Sequence, residues 1–151
     1  MGMTAGKNCI DIGIICSDIE KSLGFYQGIL GLEKVQEMPL PFGTMHRMAF
    51  GESFVKLIDP TKVPPAGNNG LTNALGFRYL TFQITNIDEV CQACEEHNIE
   101  FEIPKQELMP GVTIAMVKDP DNNTVVIVVL LMLMMSLWFC CTDNETIIAI
   151  S

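Results

Sequence analysis

The stretch "SDIEKSLGFYQGILG", Ser17 to Gly31, decides how the first half of this chain folds. Ser17 is followed three residues later by Glu20, which is the capping-box pattern of a helix N-terminus. Apolar residues then recur at helical spacing: Ile19, Leu23, Tyr26 and Leu30. Gly31 stands where a helix would end. The stretch therefore predicts one amphipathic helix.

Strand-like segments surround this helix on both sides. "CIDIGIIC" precedes it, and "GLEKVQEM", "GTMHRMAF" and "SFVKLID" follow it, separated by Pro and Gly turns. The order predicts a βαβββ module over residues 8–60.

The same order recurs in the second half, after a linker at residues 61–75 that is rich in Pro, Gly and Asn. "FRYLTFQI" reads as a strand, Asn86 with Glu89 repeats the capping box, and "IDEVCQACEEH" reads as a helix. "IEFEIP", "GVTIAMVKD" and "NTVVIVV" supply three more strands, which makes residues 76–130 a second module. The caps Ser17 and Asn86 are offset by 86 − 17 = 69 positions.

The predicted fold class is α+β: two βαβββ modules that form a curved eight-stranded mixed sheet with helices on the outer face. One helix cannot cover both faces of four strands, so the inner, concave face is the expected ligand site. We expect a single domain over residues 1–130, followed by an apolar C-terminal extension at residues 131–151.

Composition narrows the class of partner. The chain has 151 residues and a formal net charge of −9, with nine basic against eighteen acidic residues. Nucleic acid and anionic membrane surfaces both require a basic surface, so neither is an expected partner. A small molecule is the expected partner instead.

The N-terminal residues do not combine basic residues, a long apolar core and a small-residue cleavage site, so we expect a cytoplasmic protein with reduced cysteines. Cys91 and Cys94 form a single CxxC pattern inside the second predicted helix. The main interpretation is inert, partly buried thiols, and redox or metal chemistry is the alternative.

The motifs "GIICSDIEKSLGFYQGILGLEKV", "FRYLTFQITNIDEV" and "DPDNNTVVIVV" resemble those of the glyoxalase, bleomycin-resistance and extradiol-dioxygenase superfamily, also called the vicinal oxygen chelate fold. The resemblance covers about residues 8 to 130. It implies a cavity between the modules and, in most members, a divalent metal held by the first and fourth strands of each module.

Carried over motif by motif, the resemblance places the metal-ligand positions at Asp11, Lys56, Tyr79 and Val126. The offsets between modules agree, since 79 − 11 = 68 and 126 − 56 = 70. This set offers one carboxylate, one ammonium, one phenol and one hydrocarbon, which does not suit a divalent cation. We therefore expect no metal and no cofactor, with one divalent metal held by unusual ligands as the alternative.

We expect the positively charged ammonium of Lys56 to occupy the space that the metal cation would fill and to pair with Asp11. Three roles stay open for Lys56: a structural ion pair, an anchor for an anionic ligand, and a catalytic base with Tyr79 as the acid.

Strand alternation predicts which further residues line the cavity. His46 and Arg47 point to opposite sides of one strand, so at most one of them faces the ligand. The expected ligand-binding residues are Asp11, Gly13, His46, Lys56, Tyr79, Thr81, Gln83 and Val126.

The apolar stretch "LLMLMMSLWFCC", Leu130 to Cys141, runs into the extension and is too short to span a bilayer once the last strand has taken the preceding residues. A packed extension or a dimer contact is the expected role, with an aberrant terminus as an alternative. Members of the resembled family commonly pair, so we expect a homodimer.

The functional hypothesis is a small-molecule-binding protein of the glyoxalase and bleomycin-resistance type that lacks the usual metal. Its expected ligand is an organic molecule, and this hypothesis includes organic anions. One alternative is a lyase or isomerase similar to lactoylglutathione lyase, using an unusual metal site or Lys56 as base. The other is a structural or interaction module whose cavity is filled by side chains.

Overall fold

The structure, a computed structural model, describes residues 2–67 and 70–131 and contains both modules in the predicted order. The first module consists of β1 (Ile12–Ile15), α1 (Ile19–Leu23, continued as a π-helical segment, Gly24–Ile29), β2 (Glu33–Leu40), β3 (Gly43–Phe50) and β4 (Ser53–Pro60). The second consists of β5 (Tyr79–Gln83), α2 (Ile87–Glu96), β6 (Phe101–Met109), β7 (Val112–Lys118) and β8 (Thr124–Leu130).

The α+β fold class is confirmed, with one difference in how the strands associate. Each module forms its own four-stranded sheet, in the orders β1-β4-β3-β2 and β5-β8-β7-β6. Among the residues that the structure describes, β1 and β5 exchange no ladder hydrogen bonds. The edges of these two strands instead line a common cleft. The predicted single sheet of eight strands is therefore two sheets that meet at this cleft.

Strand register confirms the internal repeat. In the first sheet, β1 runs parallel to β4 with Ile12 level with Val55; in the second, β5 runs parallel to β8 with Leu80 level with Val125. The offsets are 80 − 12 = 68 and 125 − 55 = 70, equal to those predicted for the inner-face positions.

The first helix begins one residue later than the sequence pattern predicts. Asp18, not Ser17, is the N-cap: its backbone is extended and its side chain accepts a hydrogen bond from the Lys21 amide. The Ser17 amide instead donates to both carboxylate oxygens of Asp121 in the second module, at 3.2 Å. A contact between modules therefore displaces the local capping box.

The two modules share one hydrophobic core. The helical faces of both sheets contribute to a single buried cluster, and the rings of Phe50 and Phe82 meet edge to face with centroids 4.9 Å apart. Phe25 and Tyr26, consecutive residues of the π-helical segment, are both almost fully buried. The core therefore extends continuously from one module to the other.

A buried hydrogen bond joins the modules inside this core. The Tyr26 hydroxyl donates to Oδ2 of Asp119 at 2.9 Å, and both residues are buried. The Asp119 side chain also accepts from the amides of Asp121 and Asn123 and from the Asn123 side chain. Burial, followed by the neighbouring charge of Asp119, raises the pKa of Tyr26 well above its usual value, so the phenol stays neutral and donates.

The turn before β8 has the backbone conformation that the family motif requires. Asn122 occupies the glycine position of that motif and has a φ of +65°. Asn adopts this left-handed conformation more readily than other residues with a side chain, which makes the replacement of glycine tolerable.

Within the described ranges, no helix is long and apolar enough to cross a membrane. The predicted extension lies, except for its first residue, outside the described residues.

Replacing Tyr26 by Phe removes the hydroxyl that links the two modules. We expect the free energy of unfolding to fall by about 1.5–3 kcal/mol, the range for hydrogen bonds to charged groups, as measured by urea denaturation. Tyr79→Phe is the matched control, since Tyr79 is exposed and should change stability by less than about 0.5 kcal/mol. Equal effects of the two substitutions would contradict the assignment.

Candidate functional site

The inner face of the first sheet, meaning the face turned away from α1, carries a row of four residues that lie level on neighbouring strands. Gly13 of β1 is level with Lys56 of β4, Lys56 with Arg47 of β3, and Arg47 with Gln36 of β2. Their neighbours along the strands, Ile12 among them, pack against the core, so this row faces the other way. The absence of a side chain at Gly13 leaves space beside Lys56.

Asp11 immediately precedes β1 and forms ion pairs with two lysines, Lys7 and Lys56. Its Oδ1 accepts hydrogen bonds from Lys7 Nζ at 2.5 Å and from the Phe54 amide at 3.0 Å, and its Oδ2 lies 3.2 Å from Lys56 Nζ. The predicted ion pair between Lys56 and Asp11 is therefore present. The hydrogen bond from Lys7 is the main cause that lowers the pKa of Asp11 to about 2; partial burial opposes it, and Lys56 and the Phe54 amide add to it.

Arg47 is the second cation of the row. Its guanidinium carbon lies 3.7 Å from the centroid of the Phe54 ring, a stacked cation–π contact. Its Nη1 makes one long hydrogen bond, 3.4 Å, to Gln36, and its Nε is buried without a hydrogen-bond partner in the described part of the chain. Arg47 is therefore held in place by a ring rather than by a carboxylate.

The inner face of the second sheet is mainly apolar. Ile114 and Val126 are buried although neither belongs to the shared core, and Met116 lies level with Val126. On β5, Thr81 and Gln83 are exposed on the same face.

One charged group on this second face is fully paired. Lys118 Nζ lies 2.7 Å from Glu102 Oε2 and donates to Thr124 Oγ1 at 2.9 Å, and Thr124 donates to Glu102 at 2.6 Å. The hydrogen bonds from Lys118, first, and from Thr124 lower the pKa of Glu102, while partial burial opposes them. Lys118 is thus neutralised within the protein.

A cleft of about 550 Å³ lies where the edges of β1 and β5 meet. Asp11, Gly13 and Ile15 line it from the first sheet, and Tyr79 and Thr124 line it from the second. Ile15 is 43% exposed and Tyr79 is 59% exposed, so these side chains line the cleft without filling it. The cleft therefore lies beside the edge of each inner face, with Gly13 and Tyr79 on its two sides.

The structure brings most of the predicted site residues onto these surfaces, with one exception. His46 lies level with the fully buried Leu57, on the helix-covered face, and is itself buried. Its Nδ1 is 3.4 Å from Glu37 Oε2 but lacks hydrogen-bond geometry. His46 is thus separated from the cavity by the sheet, and of the two adjacent residues it is Arg47 that faces the ligand side.

The other predicted residues fall into two groups. Gly13, Asp11 and Lys56 lie together on the first sheet; Tyr79 lines the cleft opposite them, and Thr81, Gln83 and Val126 lie on the second sheet. Base and acid roles for Lys56 and Tyr79 remain predictions.

The four positions that the resemblance assigns to metal ligands are Asp11, Lys56, Tyr79 and Val126. Lys56 already occupies one oxygen of Asp11, Lys7 and the Phe54 amide occupy the other, and Val126 offers no donor. Among residues 2–67 and 70–131, no three His, Cys, Asp or Glu side chains lie close enough to share a metal ion.

Arg47 is the site residue that sequence reasoning left undecided, although a signal was available. Gly51 and Glu52 form a two-residue turn that makes Phe50 level with Ser53. Counting back along both strands from that pair places Arg47 opposite Lys56. The turn length, rather than any property of Arg47, carried this information.

The CxxC cysteines are buried free thiols, as expected. Burial raises the pKa of Cys91, and it raises that of Cys94 to about 11, so neither forms a reactive thiolate at neutral pH.

Comparison with known proteins gives a consistent result. The family model of the Glyoxalase/Bleomycin resistance protein/Dioxygenase superfamily matches residues 10–127. The uncharacterized protein YwkD of Bacillus subtilis (strain 168) is 29% identical over 116 residues, covering 76% of this chain and 91% of YwkD.

Solved structures agree in fold. A glyoxalase family protein from Enterococcus faecalis is 24% identical with a TM-score of 0.65, covering 82% of this chain and 98% of that one. TnmS3, an antibiotic binding protein from Streptomyces sp. CB03234, is 21% identical with a TM-score of 0.63, covering 85% of this chain and 100% of that one.

Replacing Asp11 by Asn should destabilise the protein in a pH-dependent way. The folded state lowers the pKa of Asp11 from 3.8 to about 2, so ionised Asp11 contributes stability above pH 4, and this contribution is lost as the pH falls through about 2. The difference in Tm between wild type and Asp11→Asn should therefore be constant near neutral pH and narrow between about pH 4 and pH 2. A difference that stays the same down to about pH 2 would contradict the ion-pair assignment.

Proposed function

The chain belongs to the glyoxalase/bleomycin resistance protein/dioxygenase superfamily, and from this premise we propose that it binds a small organic molecule in the cleft between β1 and β5. In this proposal the ligand also contacts the inner faces of the two sheets, and no divalent metal takes part.

The open cleft is the observation that carries this proposal. Its volume of about 550 Å³ lies within the range of roughly 300–1,000 Å³ that is typical of small-molecule pockets. Ile15 and Tyr79 leave large apolar surfaces exposed inside a concave site, and such surfaces usually mark binding. This favours a ligand over a module whose cavity is filled by its own side chains.

The fold comparison supports an organic ligand. TnmS3, which shares this fold, is an antibiotic binding protein. Because fold alone does not fix function, the proposal depends on the open cleft and its residues.

The charges at the family's metal positions support binding without a metal. The ammonium of Lys56 lies against Asp11. A metal ion at this place would need further oxygen or nitrogen ligands instead of a positive charge. A divalent ion there would have to displace Lys56 from its partner and would meet its positive charge at close range. Lys56 therefore takes over the electrostatic role of the ion.

Replacing Gly13 by Phe should block the cleft. A Cβ at Gly13 would meet only the Ile58 side chain, at 4.0 Å, so the new ring can extend into the cleft without backbone strain. We expect the affinity for the neutral fluorescent dye phenylnaphthylamine, an apolar aromatic probe, to fall by about tenfold or more in a fluorescence titration, because the ring occupies the space of the dye.

Gly28→Phe is the matched control, since Gly28 is exposed on the first helix and a Cβ there meets nothing within 4 Å. This variant should keep the dye affinity of the wild type. Equal affinities in wild type, Gly13→Phe and Gly28→Phe would contradict binding in the cleft.

Removal of metal should leave the protein unchanged. Protein purified without a metal-affinity column and dialysed against a chelator should keep both its Tm and its affinity for phenylnaphthylamine, because Lys56 stands in for the ion. Elemental mass spectrometry before and after dialysis supplies the check. About one tightly held divalent ion per chain, with loss of stability on its removal, would contradict the proposal.

A further inference from the structure

The inner face of the first sheet carries two cations, Lys56 and Arg47, and in the described part of the chain Arg47 has no carboxylate partner. Asp11 pairs with both Lys7 and Lys56, and Arg47 lies opposite Lys56 on the neighbouring strand, so these three cations share one carboxylate partner among the described residues. The chain as a whole has a net charge of −9, so this cluster runs against the overall electrostatic character. Such a local reversal on a concave surface is an attractive field for an anion.

The two row cations repel each other directly. Lys56 and Arg47 are opposite partners on adjacent antiparallel strands, and like charges in this arrangement destabilise a sheet. Asp11 compensates the charge of Lys56. In the described part of the chain, Arg47 instead contacts the Phe54 ring and the side-chain amide of Gln36, which are both uncharged. An anion that reaches both cations would reduce this repulsion.

Arg47 is also prepared to receive that anion. The contact with Phe54 holds the guanidinium over the ring, while Nε has no acceptor among the residues that the structure describes and Nη1 makes one long hydrogen bond. A guanidinium presents several N–H donors in one plane, which matches the two oxygens of a carboxylate or a related oxyanion. Because Nε is buried, an anionic group would bind this guanidinium through its Nη donors.

The second sheet shows what a purely structural cation looks like in the same fold. Lys118 is only 11% exposed in its side chain, and it is paired with Glu102 and hydrogen-bonded to Thr124. Arg47 has no comparable carboxylate among the described residues.

We propose that Arg47 and Lys56 bind the anionic group of an amphiphilic organic acid whose apolar body lies in the cleft between β1 and β5. This inference rests on the proposed function and adds the chemical class of the ligand. Gly13, which lies next to Lys56 and also lines the cleft, leaves the path between the two parts of the site open.

Two dyes that differ only by a charged group test this proposal. Anilinonaphthalene sulfonate is phenylnaphthylamine with an added sulfonate, so the ratio of their affinities for the full chain reports the contribution of the anion site. We expect the sulfonate dye to bind more tightly, and its affinity alone to fall as the salt concentration rises.

Removing either cation should affect only the charged dye. In Arg47→Met and Lys56→Met, we expect the affinity for anilinonaphthalene sulfonate to fall by about tenfold, while that for phenylnaphthylamine stays within about twofold. Arg47→Lys, which keeps the charge but loses the planar donors, should show an intermediate loss. Lys21→Met, on the outer surface of α1, changes the net charge equally and should leave both affinities unchanged.

The same variants distinguish a weakened site from a weakened fold. Because Arg47 and Lys56 repel each other, Arg47→Met should keep or raise the Tm of the unliganded protein while it loses the charged dye. A Tm that falls together with the affinity for both dyes would overturn the proposal in favour of a structural role.

The remaining outcomes are equally decisive. If both dyes bind the wild type and the cation variants change neither affinity, the anion site is wrong and the proposed small-molecule function stands. If neither dye binds, or if Gly13→Phe affects neither, the proposed function fails and this inference fails with it.

Discussion

The hydrogen bond from Tyr26 to Asp119 is the constraint on which the arrangement of the two modules depends. It is buried, it spans from the first helix to the turn before β8, and Asp119 is held rigid by the amides of that turn. Asp121 adds a second link to the Ser17 amide. Each module alone is a four-stranded sheet with a helix on one side, and these contacts fix how one sheet lies beside the other. The cleft between β1 and β5 follows from that placement.

Similar backbones carry different chemistry on the two inner faces. The registers of the sheets repeat with offsets of 68 and 70 residues, yet the first face presents Lys56 and Arg47 while the second presents Ile114 and Val126. Lys118, a cation on the second face, is neutralised by Glu102. A ligand that touches both faces therefore meets a charged end and an apolar end, which gives the site a direction that the repeated fold lacks.

Alternation along the strands identified most of the inner face, because side chains of successive residues point to opposite sides. That rule placed Gly13 and Thr81 on the cavity side, and it stated that only one of His46 and Arg47 could be there. Choosing between those two required the pairing of β3 with β4, which places Arg47 opposite Lys56 and His46 against the core. The polar network around Lys118 was not foreseen, since it joins three strands whose relative register no local pattern reveals.

The sequence alone determined the strand and helix order and the internal repeat, because both depend on periodicity. The pairing of Lys56 with Asp11 followed from the family resemblance, which places both residues at metal-ligand positions, and from the cost of an unpaired charge. Tertiary structure decided the start of the first helix, where the Ser17 amide bonds to Asp121 and Asp18 becomes the cap. It also decided that the strands form two sheets rather than one, and that Arg47 Nε has no acceptor among the described residues. These features arise from contacts between residues far apart in the chain, whose energies no local pattern of residues encodes.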